Sequence, residues 1–124
     1  NAKDGVGILE LIKKGIKVGI ISHSERGDGI KSRAEYLGIK HCYVGNASKD
    51  EILISWIKDE NITLEEVAFI GDDINDMSII NIVGFSACPS DSSLPVKNKV
   101  SHILDTKGGY GCVREFSDLY LSQN

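Results

Sequence analysis

The sequence predicts an α/β fold in which a three-layer, Rossmann-like parallel sheet carries helices on both faces. Short apolar runs rich in β-branched residues alternate with segments whose apolar residues recur at helical spacing. Polar residues able to carry chemistry follow the strands, at the edge where parallel sheets bind their ligands. We therefore expect a single domain over residues 1–124, built with right-handed crossovers.

Helices are predicted where apolar residues recur at spacings of three and four. Gly15 and Gly38 follow the first two of them, where a left-handed C-terminal cap is expected. A shorter helix reaches Ile80 after an acidic segment that begins at Gly71. The longer helices cover residues 5–14, 30–37, 50–60 and 112–121.

Five short strands are predicted between these helices. The first, residues 17–22, has no polar alternation, which is typical of a strand buried on both faces. Residues 63–66 have capping-box spacing just before the third strand, and Pro89 ends the fourth. The later strands cover residues 42–44, 67–70, 84–88 and 102–104.

Composition argues against several classes of partner. The 124 residues include 14 basic and 18 acidic side chains, which gives a net charge of −4 and no basic patch for nucleic acid or an anionic membrane. No apolar run approaches the roughly 18 residues that span a bilayer, and no signal-peptide pattern is visible. The three cysteines form no CxxC pair, so neither a disulfide framework nor a zinc site is indicated. We expect a soluble, cytoplasmic protein.

The segment Gly71-Asp72-Asp73-Ile74-Asn75-Asp76 places three carboxylates directly after an apolar strand. Such clustered like charges are unfavourable unless a cation neutralises them, and carboxylate oxygens suit Mg²⁺. Gly71 fits a close approach of the backbone to a neighbouring group. The alternative is a solvated turn in which Asp73 or Asn75 caps a helix.

Ser22 and Lys49 are candidates for binding an anion. Ser22 ends the first strand, where its hydroxyl and the following amides are able to hold a phosphate oxygen, although a turn residue is the common role of such a serine. Lys49 lies at a helix start, where the helix dipole disfavours a cation unless an anion lies between them. His23, in the same loop as Ser22, either contacts substrate or faces solvent.

Together, Ser22, Lys49 and the acidic segment resemble the haloacid dehalogenase-like phosphatases. Two further motifs narrow the resemblance to the small, cap-less 3-deoxy-manno-octulosonate 8-phosphate phosphatases and to the related C-terminal domain of some CMP-acylneuraminate synthetases. These motifs are Asn1-x-Lys3-Asp4-Gly5-x-Gly7 at the start and Gly108-Gly109-x-Gly111-x-Val113-Arg114-Glu115 at the end.

The resemblance implies a magnesium-dependent enzyme that hydrolyses an eight- or nine-carbon keto-acid sugar phosphate through an aspartyl-phosphate, in lipopolysaccharide or sialic acid biosynthesis. It implies catalytic roles for Lys49, Asp73 and Asp76, and magnesium ligation by Asp72 and Asp76. The residues implied to bind phosphate or substrate are Ser22, His23, Asp4, Gly5 and Lys49. It also implies a homotetramer in which a C-terminal loop helps to close a neighbouring active site; the residues concerned are Gly108, Gly109, Tyr110, Gly111 and Arg114.

The chain departs from the family at its start. The family begins with a strand that ends in a DxD motif, which holds the nucleophile and the general acid-base residue, and no DxD occurs here. We expect this domain to be N-terminally incomplete, inactive by itself, and to lack a central strand between residues 18–21 and 67–70, leaving a slot there.

The family's substrate-side arginines are also absent. Ser22-His23-Ser24 stands where the family often has Thr-Gly-Arg, and Tyr110 stands where an arginine is frequent, so the particular sugar acid stays open. The alternative function is a non-catalytic oligomerisation domain of a CMP-acylneuraminate synthetase. A receiver-like or flavodoxin-type domain is disfavoured, because the first strand lacks an acidic pocket and no glycine-rich phosphate loop follows it.

Overall fold

The computed structural model describes residues 1–24 and 27–123, over which helices and strands alternate as predicted. The helices are α1 Ala2–Lys13, α2 Gly27–Leu37, α3 Lys49–Glu60, α4 Met77–Ile80, α5 Leu94–Lys97 and α6 Cys112–Gln123. The strands are β1 Gly19–Ser22, β2 His41–Val44, β3 Ala68–Ile70, β4 Phe85–Cys88 and β5 His102–Ile103. The predicted elements are confirmed, with ends that shift by a few residues.

Helix ends follow the local sequence signals. Gly15 and Gly38 adopt φ angles of +86° and +77°, the left-handed conformation expected of glycines that end helices. The capping box before β3 is present, since Glu66 accepts a hydrogen bond from the Thr63 amide at 3.1 Å. Helix α5 is not predicted by the sequence analysis, because Leu94–Lys97 is a single turn with Pro95 near its start.

The strands form two parallel sheets rather than one. Strand β1 pairs with β2, while β3, β4 and β5 form a second sheet in that order. A cavity of about 730 Å³ is lined by every residue of β1 and β3, so the predicted slot between these two strands is present. The expectation that β1 is buried on both faces is wrong for the described chain: Gly19 is exposed and the rest of β1 is half-buried, because β1 borders this cavity.

Helices cover both faces of the second sheet, and alternate residues of β4 show how. Ala87 packs with Leu104 and with Cys112 of α6. The next residue, Cys88, points to the opposite face and packs with Ile80 of α4 and Val96 of α5. A separate cluster lies beside the first sheet and consists of Ile8, Ala34, Leu37 and Ile39. The two sheets therefore have their own apolar packing on either side of the slot.

Among the described residues, no helix combines the length and apolar character needed to cross a membrane.

The first and last helices pack together, which explains why the sequence motifs at the two ends of the chain occur as a pair. A Cβ added to Gly7 would lie 2.9 Å from the Arg114 Cα, so only glycine allows α1 and α6 to approach this closely. Asp4 Oδ1 accepts hydrogen bonds from the backbone amides of Val113 and Arg114, at 3.0 and 3.3 Å. Asp4 therefore caps the N-terminus of α6 from a neighbouring helix.

We expect Asp4→Ala to lower the free energy of unfolding by about 1 kcal/mol, the usual cost of losing a helix cap. Urea unfolding measures the change. Glu10→Ala, which removes an exposed carboxylate from the same helix, is the matched control and should change stability by no more than about 0.5 kcal/mol. If the two variants are equally stable, the cap does not contribute.

Three basic side chains surround the Glu60 carboxylate. The cluster lies at the end of β1 and β2 that is opposite to Ser22. Its carboxylate lies 2.8 Å from Lys17 Nζ, 2.6 Å from His41 Nε2 and 3.1 Å from Lys40 Nζ. Hydrogen bonds from Lys17 first, then from His41 and Lys40, lower the pKa of Glu60 from 4.5 to about 2. This cluster links the C-terminal end of α3 to the residues where β1 and β2 begin.

Because the folded-state pKa of Glu60 lies below its unfolded value, its contribution to stability is complete above about pH 4.5 and disappears as the pH falls toward about 2. The free energy of unfolding of the wild type should therefore fall more steeply with acid in this window than that of Glu60→Gln. Urea unfolding at several pH values between about 5 and 2.5 measures both slopes. Glu51→Gln, an exposed carboxylate on the same helix, should keep the wild-type slope. Equal slopes for Glu60→Gln and the wild type would contradict the cluster.

Candidate active site

Residues that follow β1, β2 and β3 meet in the cavity between the two sheets. The cavity is lined by Ser22, Lys49, Gly71, Asp72 and Asp76. The predicted convergence of these loops at the carboxyl ends of the strands is therefore present.

Lys49 and Asp76 form a buried ion pair at this site. Lys49 Nζ lies 2.6 Å from Asp76 Oδ1, and the two side chains are 10% and 5% exposed. Asp76 Oδ2 accepts hydrogen bonds from the backbone amides of Asp72 and Asp73, at 3.0 and 3.1 Å. One carboxylate thus holds the lysine and folds the acidic loop.

Gly71 is required by the close approach of Asp76. A Cβ at position 71 would lie 2.8 Å from Asp76 Oδ2, which is closer than van der Waals contact allows. The Gly71 amide also extends the β3–β4 ladder by donating to the Ala87 carbonyl at 3.1 Å. The close backbone approach predicted for this glycine is confirmed.

The other two carboxylates of the acidic loop differ in their surroundings. Asp73 is exposed, and its Oδ1 accepts a hydrogen bond from the Ile74 amide at 2.6 Å, so it caps the short turn Ile74–Asp76. Asp72 is exposed as well, and its carboxylate forms no hydrogen bond or ion pair with the residues that the structure describes. Asp72 is therefore the carboxylate in this loop that is available to a ligand.

Of the two expected magnesium ligands, Asp72 and Asp76, only Asp72 has oxygens that are unoccupied by the residues the structure describes. Both oxygens of Asp76 are engaged by Lys49 and by two amides, which leaves Asp72 as the open oxygen donor. Within residues 1–24 and 27–123, no three His, Cys, Asp or Glu side chains converge as a metal site. A single carboxylate fits Mg²⁺, which usually keeps several waters and binds through one or two protein carboxylates.

Ser22 presents a hydroxyl at the edge of the cavity. Its Oγ accepts a hydrogen bond from the Ser24 amide at 3.1 Å, and its carbonyl accepts one from the Gly45 amide at 3.0 Å. A hydroxyl that accepts one bond keeps its proton for donation. Ser22 is therefore able to donate to an anion at this edge.

His23 does not line the cavity, in contrast to its expected contact with substrate. Its Nε2 lies 2.8 Å from the carbonyl oxygen of Ala47, and its Nδ1 lies 3.4 Å from Asn75 Nδ2. Both ring nitrogens are therefore turned toward protein groups. Neither Ala47 nor Asn75 lies near His23 along the chain, so residue spacing alone does not identify them as its partners.

Asp4 and Gly5 do not line the cavity either, and their expected substrate contact stays a prediction. Asp4 caps α6, as described above. A Cβ added to Gly5 would lie 2.5 Å from Arg33 Nη2, so the Arg33 side chain of α2 lies against α1 at this glycine. The N-terminal motif stabilises helix packing in this chain.

The glycine-rich loop joins the cavity through Gly108 and Gly109. The Gly108 amide donates to Asp91 Oδ1 at 2.9 Å, and Asn1 Nδ2 donates to the Gly109 carbonyl at 3.0 Å. Tyr110, at the tip of the loop, is 69% exposed. These two hydrogen bonds join the loop to other segments of the same chain. The expected role of the loop between subunits stays a prediction.

Arg114 belongs to a local pair in the described structure. Its Nε lies 3.0 Å from Asp118 Oδ1, one helical turn further along α6. Glu115 is not its partner, because the Glu115 oxygens accept the amides of Asp105 and Thr106, both at 2.9 Å. The pairing partner is therefore Asp118 rather than the adjacent glutamate.

Cys112 is a buried thiol beside the cavity. Its Sγ lies 3.2 Å from the carbonyl oxygens of Thr106 and Lys107. Burial, followed by the nearby charges of Asp4 and Glu115, raises the pKa of this thiol to about 11. The thiol is therefore protonated at neutral pH and is a poor nucleophile.

A family model described as haloacid dehalogenase-like hydrolase matches residues 22–115. The chain therefore belongs to this family of enzymes, and the resemblance inferred from its motifs is confirmed.

Within the family, the chain is similar to curated 3-deoxy-D-manno-octulosonate 8-phosphate phosphatases. It is 35% identical to the one from Haemophilus influenzae over 121 residues, which cover 98% of this chain and 67% of that protein. It is 36% identical to the one from Yersinia pestis over 121 residues, covering 98% of this chain and 64% of that protein. The chain thus spans about two thirds of the length of these relatives.

A solved structure supports the same grouping. It is the 3-deoxy-D-manno-octulosonate 8-phosphate phosphatase of Moraxella catarrhalis in complex with a magnesium ion, a phosphate ion and a KDO molecule. The TM-score is 0.92 at 30% identity, and the match covers 98% of this chain and 69% of that one. The α/β fold with parallel sheets and helices on both sides is therefore that of the family.

We expect Lys49→Met to lower the free energy of unfolding by about 3 kcal/mol, because it leaves the buried Asp76 carboxylate without its cation. The double variant Lys49→Met with Asp76→Asn should recover part of this loss, since the amide keeps an acceptor for the loop without the charge. Urea unfolding of both variants measures the difference.

Lys58→Met removes an exposed lysine from the same helix and is the matched control, with an expected change within about 0.5 kcal/mol. A loss at Lys49 no larger than that of the control would show that the pair contributes nothing to stability.

Proposed function

We propose that the complete protein is a magnesium-dependent phosphatase that acts on a keto-acid sugar phosphate of eight or nine carbons, of the octulosonate 8-phosphate or nonulosonate 9-phosphate type. The observation that carries the proposal is the buried Lys49–Asp76 pair, which lines one cavity together with Ser22 and Asp72. The names of the curated relatives, and the magnesium, phosphate and KDO in the Moraxella structure, support this substrate class.

Lys49 and Ser22 are suited to hold the phosphoryl group. Phosphoryl transfer depends mainly on positioning and on neutralising negative charge. An ammonium group has three donors, and Asp76 uses one of those of Lys49, so the others remain for phosphate oxygens. The Ser22 hydroxyl, at the end of β1, adds a further donor that lines the same cavity.

Asp72 would hold the magnesium ion, whose charge would neutralise phosphate oxygens when it is bound. Asp76 acts differently from the expected ligand role. Because its oxygens bind Lys49 and the amides of Asp72 and Asp73, it orients the lysine and aims Asp72 at the cavity. Asp73 supports the loop by capping its turn. This division of roles follows from which carboxylate oxygens are already occupied.

The nucleophile is proposed to come from a strand outside residues 1–124. Among the described acidic and thiol groups that line the cavity, Asp76 is engaged by Lys49, Cys112 is protonated, and Asp72 is assigned to the metal. The other two carboxylates that line it, Glu60 and Glu66, are engaged by the basic cluster described above and by Thr63. The backbone groups of β1 and β3 that face the slot have no strand partner among the described residues, so this edge of each sheet is open to another strand. A parallel strand in the slot would join the two sheets and bring its carboxyl end beside Ser22 and Lys49.

The homotetramer and the cytoplasmic location stay predictions. Sedimentation equilibrium of the complete protein tests the first, and fractionation of the native cells tests the second.

The proposed activity is tested by phosphate release from 3-deoxy-D-manno-octulosonate 8-phosphate by the complete protein, with and without Mg²⁺. We expect Asp72→Asn to lower kcat by about 100-fold or more, because the variant replaces the open carboxylate with a neutral amide without disturbing a described contact. Asp59→Asn, an exposed carboxylate on α3, is the matched control and should retain wild-type kcat.

Magnesium-dependent release that Asp72→Asn abolishes supports the proposal. A complete protein that is folded and tetrameric but releases no phosphate from eight- or nine-carbon sugar acids would favour the oligomerisation domain instead.

A chain limited to residues 1–124 should release no phosphate from these esters, because the proposed nucleophile lies outside it. The same phosphate assay at high protein concentration measures this. Magnesium-dependent turnover by residues 1–124 that is lost in Asp72→Asn would contradict the placement of the nucleophile.

A further inference from the structure

The backbone of Ala47 is held by two side chains, Tyr43 of β2 and His23 in the loop after β1. Its amide donates to Tyr43 Oη at 2.9 Å, and its carbonyl oxygen lies 2.8 Å from His23 Nε2. Ala47 stands two residues before Lys49, where α3 begins. These contacts therefore hold the backbone directly before the helix that carries the lysine.

The imidazole of His23 also reaches the acidic loop. Its Nδ1 lies 3.4 Å from Asn75 Nδ2, and Asn75 directly precedes Asp76, the partner of Lys49. His23 itself directly follows Ser22. One ring therefore links the loop after β1 to the loops after β2 and β3.

A single neutral tautomer satisfies both contacts. With its proton on Nε2, the ring donates to the Ala47 carbonyl, and Nδ1 is then free to accept from the Asn75 amide. The ring is half-buried, which favours a fixed orientation over free rotation in solvent. These properties suit a support for the loops better than a group that exchanges partners with substrate.

We propose that His23 is a positioning residue for the proposed phosphatase reaction. It holds the Ser22, Lys49 and Asp76 loops in register through the Ala47 carbonyl and Asn75, and Tyr43 supports the neighbouring peptide group through the Ala47 amide. The expected effect on the reaction rate rests on the proposed function. Small displacements of the groups that hold a reacting phosphoryl group lower the rate of reaction. The loop linkage itself does not depend on that function.

The test compares three variants in the complete protein. His23→Ala removes both contacts. His23→Gln keeps a donor near the position of Nε2 and therefore the bond to Ala47. His41→Ala is the matched control, because His41 is also half-buried and hydrogen-bonded but contacts Glu60 at the other end of the sheet.

Steady-state phosphate release gives the first readout. We expect His23→Ala to lower kcat by about three- to tenfold, as a displaced loop would after losing its hydrogen bonds to the ring, with KM changed by less than about twofold. His23→Gln should restore most of kcat. His41→Ala should lower the unfolding temperature but leave kcat unchanged, as expected of a purely structural histidine. A kcat for His23→Ala within about twofold of the wild type, or no recovery in His23→Gln, would overturn the proposal.

Amide hydrogen exchange gives a second readout that does not require activity. The Ala47 amide should exchange about three- to tenfold faster in His23→Ala than in the wild type, and at nearly the wild-type rate in His23→Gln. Unchanged exchange at Ala47 in His23→Ala would overturn the linkage. A wild-type protein without phosphatase activity but with this exchange pattern would refute the proposed function while leaving the linkage supported.

Discussion

A buried ammonium and a buried carboxylate meet where α3 begins and the loop after β3 turns, with Lys49 Nζ 2.6 Å from Asp76 Oδ1. Each charge would be costly alone at this depth, so each constrains the other. The same carboxylate accepts the amides of Asp72 and Asp73, which makes the shape of the acidic loop depend on the lysine. Gly71 leaves the space for this arrangement, since a side chain there would strike Asp76.

The slot between β1 and β3 explains why this pair stands beside a large cavity. Each sheet packs against its own helices, so the two halves of the chain keep separate apolar clusters on either side of the opening. Besides the Lys49–Asp76 pair, the packing of α1 on α6 connects the halves, with Asp4 capping the distant helix. The motif at the start of the chain thus has a structural role, because it holds the glycine-rich loop next to the cavity. Its carboxylate, Asp4, does not line the cavity.

Most of the fold and part of the site are predictable from local signals. The strands, the longer helices and the glycine-ended turns follow from hydrophobic periodicity and backbone preferences, which act over a few residues. The short helix α5 is not predictable this way, because a single turn has too few residues to show a helical period. The exposure of β1 is missed for a different reason: its apolar residues suit a central strand, and the described chain leaves the slot beside it open.

The sequence by itself determined the family, the order of the elements, and the placement of Ser22, Lys49 and the acidic segment at strand ends, because these are properties of residue type and spacing. Only the tertiary structure decided which partner each polar group takes. Asp4 binds amides 109 and 110 positions away, His23 binds Ala47 instead of lining the cavity, and Asp76 uses both oxygens inside the protein. A hydrogen bond forms only within about 3.5 Å, and that distance between remote residues is set by packing rather than by spacing along the chain.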